Sequence, residues 1–310
     1  MLERKIKVGI VVLGGIAQKV YLPILANEKE WSLIGAYSPT RSKCEAICQA
    51  NRITPYESLT ALAGEIDAAF VHTSTPTHYE VVASLLKEGV DVYVDKPLAA
   101  TVEEAERLVE LSEKTGRKLM VGFNRRFAPF YQQAQALAGD TAAWVRMEKH
   151  RMHGILPDHY AHTLLDDYIH LVDLARWIGG GEVRLAGGHI ATGEKTELLH
   201  TKHAYQSSTG LYLETGMHRS AGTGRECVEW VCHDRVIRVI DLEQMEVEEE
   251  GRTTIHRPGS WDTILKRRGF IDAVDHFIQS ILGDTQPVID GREGLRTQQL
   301  LQQLISQERF

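Results

Sequence analysis

No apolar run in the 310 residues approaches the ~20 needed to cross a bilayer, so a membrane-spanning helix is excluded as the basis of function. Cysteine is scarce. Cys44 and Cys48 lie one helical turn apart and Cys227 and Cys232 fall in a strand-like region, which matches neither a zinc site nor a dense disulfide framework. Reduced, mostly buried thiols are expected. Positive charge is not in excess either: Lys plus Arg number 35 against 42 Asp plus Glu, and the net charge of -7 leaves no overall electrostatic reason to bind nucleic acid or an anionic membrane. No repeat, low-complexity tract or long linker interrupts the chain. The charged opening, Met1-Leu2-Glu3-Arg4-Lys5, is unlike a signal segment, so a soluble cytoplasmic protein with a small neutral or polar partner is expected.

What is present is enough apolar material, 43% of residues, for two domains with buried cores. Lys5 to Leu13 is a β-branched run, and Ile16 to Lys29 then spaces Tyr21, Leu22 and Leu25 on one side of a helix. Ser32 to Tyr37, Ala68 to Thr73, Asp91 to Asp95 and Lys118 to Phe123 repeat the strand pattern, with helical stretches at Tyr79 to Glu88 and Val102 to Thr115. Strands alternating with helices imply a parallel, doubly wound sheet covered on both faces. Beyond Asn124 the rhythm changes. A helix around Thr163 to Ile178 precedes strands at Val183 to Thr192, Leu198 to Ser207, Leu211 to His218, Glu226 to His233 and Val236 to Asp241. Tight connections such as Ser208-Thr209-Gly210 and His233-Asp234-Arg235 make neighbours antiparallel. Trp261 to Leu282 and Arg292 to Gln307 read as closing helices. The expectation is an α/β dinucleotide-binding domain over 1–124 and an α+β domain with a largely antiparallel sheet over 125–310, serving substrate binding and oligomerisation. The acidic run Glu246 to Glu250 reads as a solvated strand edge.

The first strand ends in Val12-Leu13-Gly14-Gly15-Ile16-Ala17 and opens a helix. Glycines there let backbone approach a pyrophosphate, and the helix N-terminus offers it free N–H groups. Gly14, Gly15, Ile16 and Ala17 are therefore candidate cofactor contacts, although Val12 stands at the usual first glycine. NAD sites place a carboxylate at the end of the second strand. Here Tyr37-Ser38-Pro39-Thr40-Arg41-Ser42-Lys43 has none, and Ser38, Thr40, Arg41 and Lys43 suit the 2′-phosphate of NADP, which is favoured over NAD. The next strand ends, at Ser74-Thr75-Pro76-Thr77-His78 and Asp95-Lys96-Pro97, should line the same cleft, which makes Ser74, Thr75, Pro76, His78, Asp95 and Lys96 candidates too.

Taken in order, the glycine turn, Ser74 to His78, Asp95-Lys96-Pro97-Leu98-Ala99 and Gly122-Phe123-Asn124-Arg125-Arg126-Phe127-Ala128-Pro129 resemble the Gfo/Idh/MocA oxidoreductases, most of all the MviM-like ones. Asp166-Asp167-Tyr168-Ile169-His170-Leu171-Val172-Asp173 is similar to that family's D-x-G-x-H-x-x-D helix. Asp95 replaces the usual Glu, and Tyr168 a usual small residue. The resemblance implies a Rossmann domain, a catalytic set of Lys96, Asp166 and His170, and sheet-to-sheet dimers or tetramers. The spacing agrees, since residues four apart share a helix face.

Five histidines, His150, His153, His159, His162 and His170, crowd one segment. Without an H-E-x-x-H pattern or a cysteine partner a metal is not expected. The polar loop before the catalytic helix suits substrate contacts instead, with His153, His159 and Tyr160 as candidates beside Asn124 and Arg125. Arg125 and Arg126 are not separable by sequence: one is expected at the cleft and the other in ion pairs. The expected activity is hydride transfer between NAD(P) and the carbinol carbon of a sugar, cyclitol or related polyol. A family member using transient redox for elimination or glycoside cleavage, and a non-catalytic NAD(P) sensor on the same fold, stay open as alternatives.

Overall fold

Short runs such as Ala68–Val71 and Asp91–Val94 are buried along their whole length, as strands of a parallel sheet covered on both faces must be. The computed structural model describes residues 5–307; the charged opening, Met1 to Arg4, lies outside them. The chain divides into two units, one comprising the described residues up to Phe123 with Phe270–Arg296, the other Asn124–Gly269 with the described residues from Thr297.

The first unit holds β1 (Ile6–Val11), β2 (Trp31–Tyr37), β3 (Thr54–Pro55), β4 (Ala68–Val71), β5 (Asp91–Val94) and β6 (Leu119–Val121) in the order β3-β2-β1-β4-β5-β6. Every pair is parallel. The chain winds outward both ways from β1, so the switch point, where such sheets bind ligands, falls between β1 and β4. Helix Val102–Thr115 shows how the crossovers are built: Thr101 accepts from the Glu104 N–H at 3.2 Å to cap its start, and Ala105, Leu108 and Val109 form its buried stripe.

The segment expected as one closing helix from Trp261 is divided. It breaks at Gly269, which takes a left-handed φ of 78° and whose Cβ, if present, would meet the Asn124 carbonyl oxygen at 2.3 Å. The helix proper is Phe270–Leu282, and it belongs to the first unit although the sequence places it in the second domain. The reason is aromatic. Phe277 stands edge-on to Phe70 and Tyr93 at ring distances of 5.6 and 5.7 Å, and Phe270 meets Tyr21 at 5.9 Å.

The second unit is built on β7 (Ala142–His150), β8 (Val183–Thr192), β9 (Leu198–Ser207), β10 (Tyr212–His218), β11 (Arg225–Cys232), β12 (Arg235–Ile240), β13 (Gln244–Glu249) and β14 (Arg252–His256), in the order β14-β13-β12-β11-β7-β10-β9-β8. All pairs are antiparallel except β7 with β10. The hairpins β9–β10 and β11–β12 arise from the tight connections read in the sequence. β7, at the centre, has no counterpart in the expected strands. The acidic run is also placed differently: β13 is an inner strand, and Arg238 donates to Glu248 at 2.5 Å and lies 3.7 Å from Glu246. Among the described residues no helix is long and apolar enough to cross a membrane. The four thiols are free, and all but Cys227 are buried.

Candidate active site

At the end of β1, Val12 adopts φ of 67°, a left-handed conformation that costs a β-branched residue about 1–2 kcal/mol. Its N–H donates to the Tyr37 carbonyl at 2.8 Å. The turn thus keeps the conformation a glycine would take there, at the expense of strain. Gly14 and Gly15 are different. Neither has a positive φ, and a Cβ built on either meets nothing within 4 Å. No packing among the described residues calls for glycine at these positions; what glycine supplies is bare backbone facing open space at the head of the helical run 15–26. A pyrophosphate needs that surface, together with the N–H groups of a helix start. Ala17 is fully buried where helix meets sheet, Ile16 is exposed, and the Gln18 side chain pins the turn by donating to the Leu13 carbonyl at 2.7 Å. A dinucleotide fits here.

Beyond β2, Ser38 is half-buried and Thr40, Arg41 and Lys43 are exposed. Arg41 donates to Glu45 at 2.8 Å and to Glu57 at 3.0 Å, and these bonds raise its pKa. A pocket lined by Tyr37, Ser38, Pro39, Arg41 and Glu57 opens beside them.

After β4, Ser74 and Pro76 are exposed and Thr75 half-buried in a short 3-10 turn. His78 does not share that exposure. It is buried with Nδ1 at 2.7 Å from the Pro97 carbonyl and Nε2 at 3.1 Å from the Thr73 carbonyl, so it straps two strand-end loops together rather than presenting a free ring edge. Burial lowers its pKa. After β5, Asp95 accepts from the Lys96 N–H at 2.9 Å, and Lys96 is half-buried. Sequence reasoning missed His72. It is buried and stacked on Tyr21 at 4.0 Å, with Nδ1 4.0 Å from the Asp95 carboxylate. Burial, then His78, pushes its pKa down to about 3, so it is neutral at ordinary pH.

In the second unit one helical run carries the rest: Tyr160–Thr163, a π turn at Leu164–Tyr168, then Ile169–Ile178. Such π turns are frequent at functional sites. Asp166 is exposed and His170 is 8% exposed. Tyr168, fully buried, sends its hydroxyl into the sheet, 2.5 Å from Thr215 Oγ1 and 3.0 Å from His203 Nδ1.

Neither arginine of the pair after Asn124 is left over for a cleft. Arg126 is bidentate to buried Asp173 at 2.6 and 2.9 Å, and Arg125 is bidentate to Glu226 at 2.6 and 2.8 Å. Asn124 donates to the Arg268 carbonyl at 2.7 Å. His159 accepts from the Ala161 N–H at 3.2 Å as a helix cap, its ring on Tyr160 at 4.4 Å; His153 is exposed. Among the described residues no group of three His, Cys, Asp or Glu side chains is placed to hold a metal ion. The sequence reading also overlooked Asp167, which is in contact with Lys149, Arg151 and Arg219.

A glycine turn of bare backbone at the switch point of a parallel sheet, followed by a second sheet unit, marks a dinucleotide-dependent enzyme of two units. Residues 6–123 match the model described as "Oxidoreductase family, NAD-binding Rossmann fold", and 129–250 match "YceM-like, C-terminal domain". YceM of Salmonella typhimurium, named as an oxidoreductase, is 45% identical over 302 residues, 97% of each chain. A dehydrogenase (MviM) from Clostridium difficile has a crystal structure that aligns with a TM-score of 0.95 at 40% identity, over 97% of this chain and 99% of that one. The scyllo-inositol 2-dehydrogenase (NAD(+)) of Bacillus subtilis is 26% identical over 200 residues, 61% of this chain and 58% of its own. The chain belongs to the Gfo/Idh/MocA family of nicotinamide-dependent oxidoreductases.

Proposed function

We propose that this oxidoreductase transfers a hydride between NADP, favoured over NAD, and the carbinol carbon of a sugar, cyclitol or related polyol. The observation that carries the cofactor reading is the open backbone of Gly14 and Gly15 at the head of a helix. In this reading Gly14 to Ala17 hold the pyrophosphate, and Ser38, Thr40, Arg41 and Lys43 receive the 2′-phosphate. The ion pairs of Arg41 are solvent-exposed and therefore weak, so a phosphate dianion can displace them. Ser74, Thr75, Pro76 and Asp95 line the rest of the cofactor path. The polyol class is supported by relatives named as inositol dehydrogenases, which align with part of the chain.

When bound, the nicotinamide supplies the hydride chemistry; the protein orients substrate and manages the proton. His170 takes the proton of the reacting hydroxyl, a task suited to an imidazole whose ordinary pKa lies near neutrality. Lys96 donates a hydrogen bond to the same oxygen, stabilising its negative charge. Asp166 orients His170 or binds a second hydroxyl. The chain is further proposed to form a homodimer or homotetramer through the second sheet, where Trp144 and Tyr212 pair in register and are 48% and 42% exposed; a strict monomer in light scattering at micromolar concentration contradicts this.

The deciding experiment screens polyols by nicotinamide absorbance with NADP and NAD in parallel. Turnover of at least one polyol is expected, with tighter binding of NADPH than NADH and a narrower gap in Arg41→Ala. Tighter NADH binding that is indifferent to Arg41 overturns the cofactor assignment, and a panel without turnover overturns the substrate class.

A further inference from the structure

Lys149 is the inward-facing residue after Val145 and Met147 on β7, and it is 5% exposed. Its ammonium contacts Asp167. Arg219, just beyond β10, donates Nη1 to Asp167 Oδ2 at 2.6 Å and Nε to the Gly154 carbonyl at 2.7 Å. Arg151 donates Nη2 and Nε to the two Asp167 oxygens at 3.1 and 3.2 Å. Three cations therefore share one carboxylate. The neighbouring Arg125–Glu226 pair is balanced, and Tyr131 also donates to Glu226.

The sum is four cations against two carboxylates, Asp167 and Glu226. Counting the exposed Asp166 next in sequence still leaves one positive charge in excess. A buried ammonium added beside two guanidiniums is unfavourable unless an anion completes the set. Burial first, and Arg125 second, push the Lys149 pKa down to about 8. Asp167 moves the other way: burial alone would raise its pKa, but Lys149 and Arg151 hold it well below the usual carboxylate range.

We propose that Arg151, with Lys149 and Arg219 behind it, forms a subsite for an anionic group on the substrate, a phosphate or carboxylate carried by the polyol. Access is at Arg151, whose side chain is 47% exposed. Asp167 precedes His170 by three residues on one helical run, a rise of roughly 5 Å along the axis. Planar guanidiniums recognise either oxyanion by paired hydrogen bonds. The inference rests on the polyol reading and narrows it to acidic polyols.

The test is calorimetric titration of the NADP-loaded enzyme with D-glucose 6-phosphate, D-gluconate and neutral D-glucose, on the parent and on Arg151→Gln. The substitution is at an exposed side chain, so the fold should survive it, and Lys149→Met serves as a second variant. At least one charged probe is expected to bind ~tenfold or more tightly than glucose, with Arg151→Gln removing most of that difference and leaving NADPH affinity unchanged. The two charged probes show whether phosphate or carboxylate is preferred. Equal binding of charged and neutral probes, no binding of any, or a charge preference that survives Arg151→Gln overturns the inference. Turnover of neutral polyols without charge preference removes the subsite and leaves the proposed activity standing. Arg151-dependent binding without oxidation of any polyol does the reverse.

Discussion

The Tyr168 hydroxyl lies 2.5 Å from Thr215 Oγ1, fastening the helical run that carries His170 to β10. His203 Nδ1 joins the same hydroxyl at 3.0 Å, and Tyr205 reaches Thr215 at 3.2 Å. Tyr168 therefore departs from the family's usual small residue by filling a position between helix and sheet. Removing only the hydroxyl in Tyr168→Phe leaves buried polar partners short of a bond and should cost about 1–3 kcal/mol in denaturant unfolding. Tyr168→Gly, which restores the small residue, should cost more, about 3–5 kcal/mol, because it opens a cavity. An unchanged unfolding midpoint in both variants would show that the network holds nothing.

The proposed roles separate chemistry from cofactor binding. Lys96→Met and His170→Ala should each lower kcat at least ~10²-fold on a working substrate while NADPH affinity stays nearly constant. Gly14→Val should do the reverse, since its side chain would occupy the space through which a pyrophosphate approaches. Full turnover in both Lys96→Met and His170→Ala would withdraw the catalytic assignment.

Strain at Val12 gives a test of the turn itself. Val12→Gly relieves about 1–2 kcal/mol of left-handed strain and gives back about 0.5–1 kcal/mol to unfolded-chain entropy. Thermal unfolding should thus show a Tm equal to or slightly above the parent's, with cofactor affinity retained. A fall of several degrees would mean that the Val12 side chain packs more productively than its half-buried position suggests.

Glu226 should shape acid stability. Burial alone would raise its pKa, but Arg125 outweighs burial and brings it down from 4.5 to about 2. A carboxyl depressed in the folded state stabilises above its unfolded pKa, and that stability is lost as pH falls toward the folded value. The window is therefore about pH 4.5 down to about 2, with a total of order 3 kcal/mol. Glu226→Gln lowers stability at neutral pH by leaving Arg125 unpaired, yet its unfolding free energy should change less across that window. An acid limb as steep as the parent's would assign the loss to other carboxylates.

The doubly wound sheet was legible because β1, β2, β4 and β5 are short apolar runs, and period-2 segments with tight connections revealed β8 to β12. β7 escaped because only two apolar residues, Val145 and Met147, mark its buried side, alternating with Arg146 and Glu148. The same alternation was the available sign of the buried cations: Val145, Met147, Lys149 places a lysine on the core side. What it cannot show is the carboxylate that receives it, since Asp167 arrives from a different element. Arg125 and Arg126 posed the same difficulty, as Glu226 and Asp173 lie far along the chain. His72 hid inside an apolar run, where one histidine reads as part of the strand.

The return of Phe270–Arg296 to the first unit means that the nucleotide-binding part is not an N-terminal piece of chain. A polypeptide stopped at residue 124 would contain every strand of the parallel sheet and the whole glycine turn, yet lack Phe270 and Phe277 against Tyr21, Phe70 and Tyr93. Its uncovered aromatic patch would favour self-association. Any minimal nucleotide-binding module cut from this protein therefore has to be spliced, carrying the later helix back to the sheet through an engineered linker.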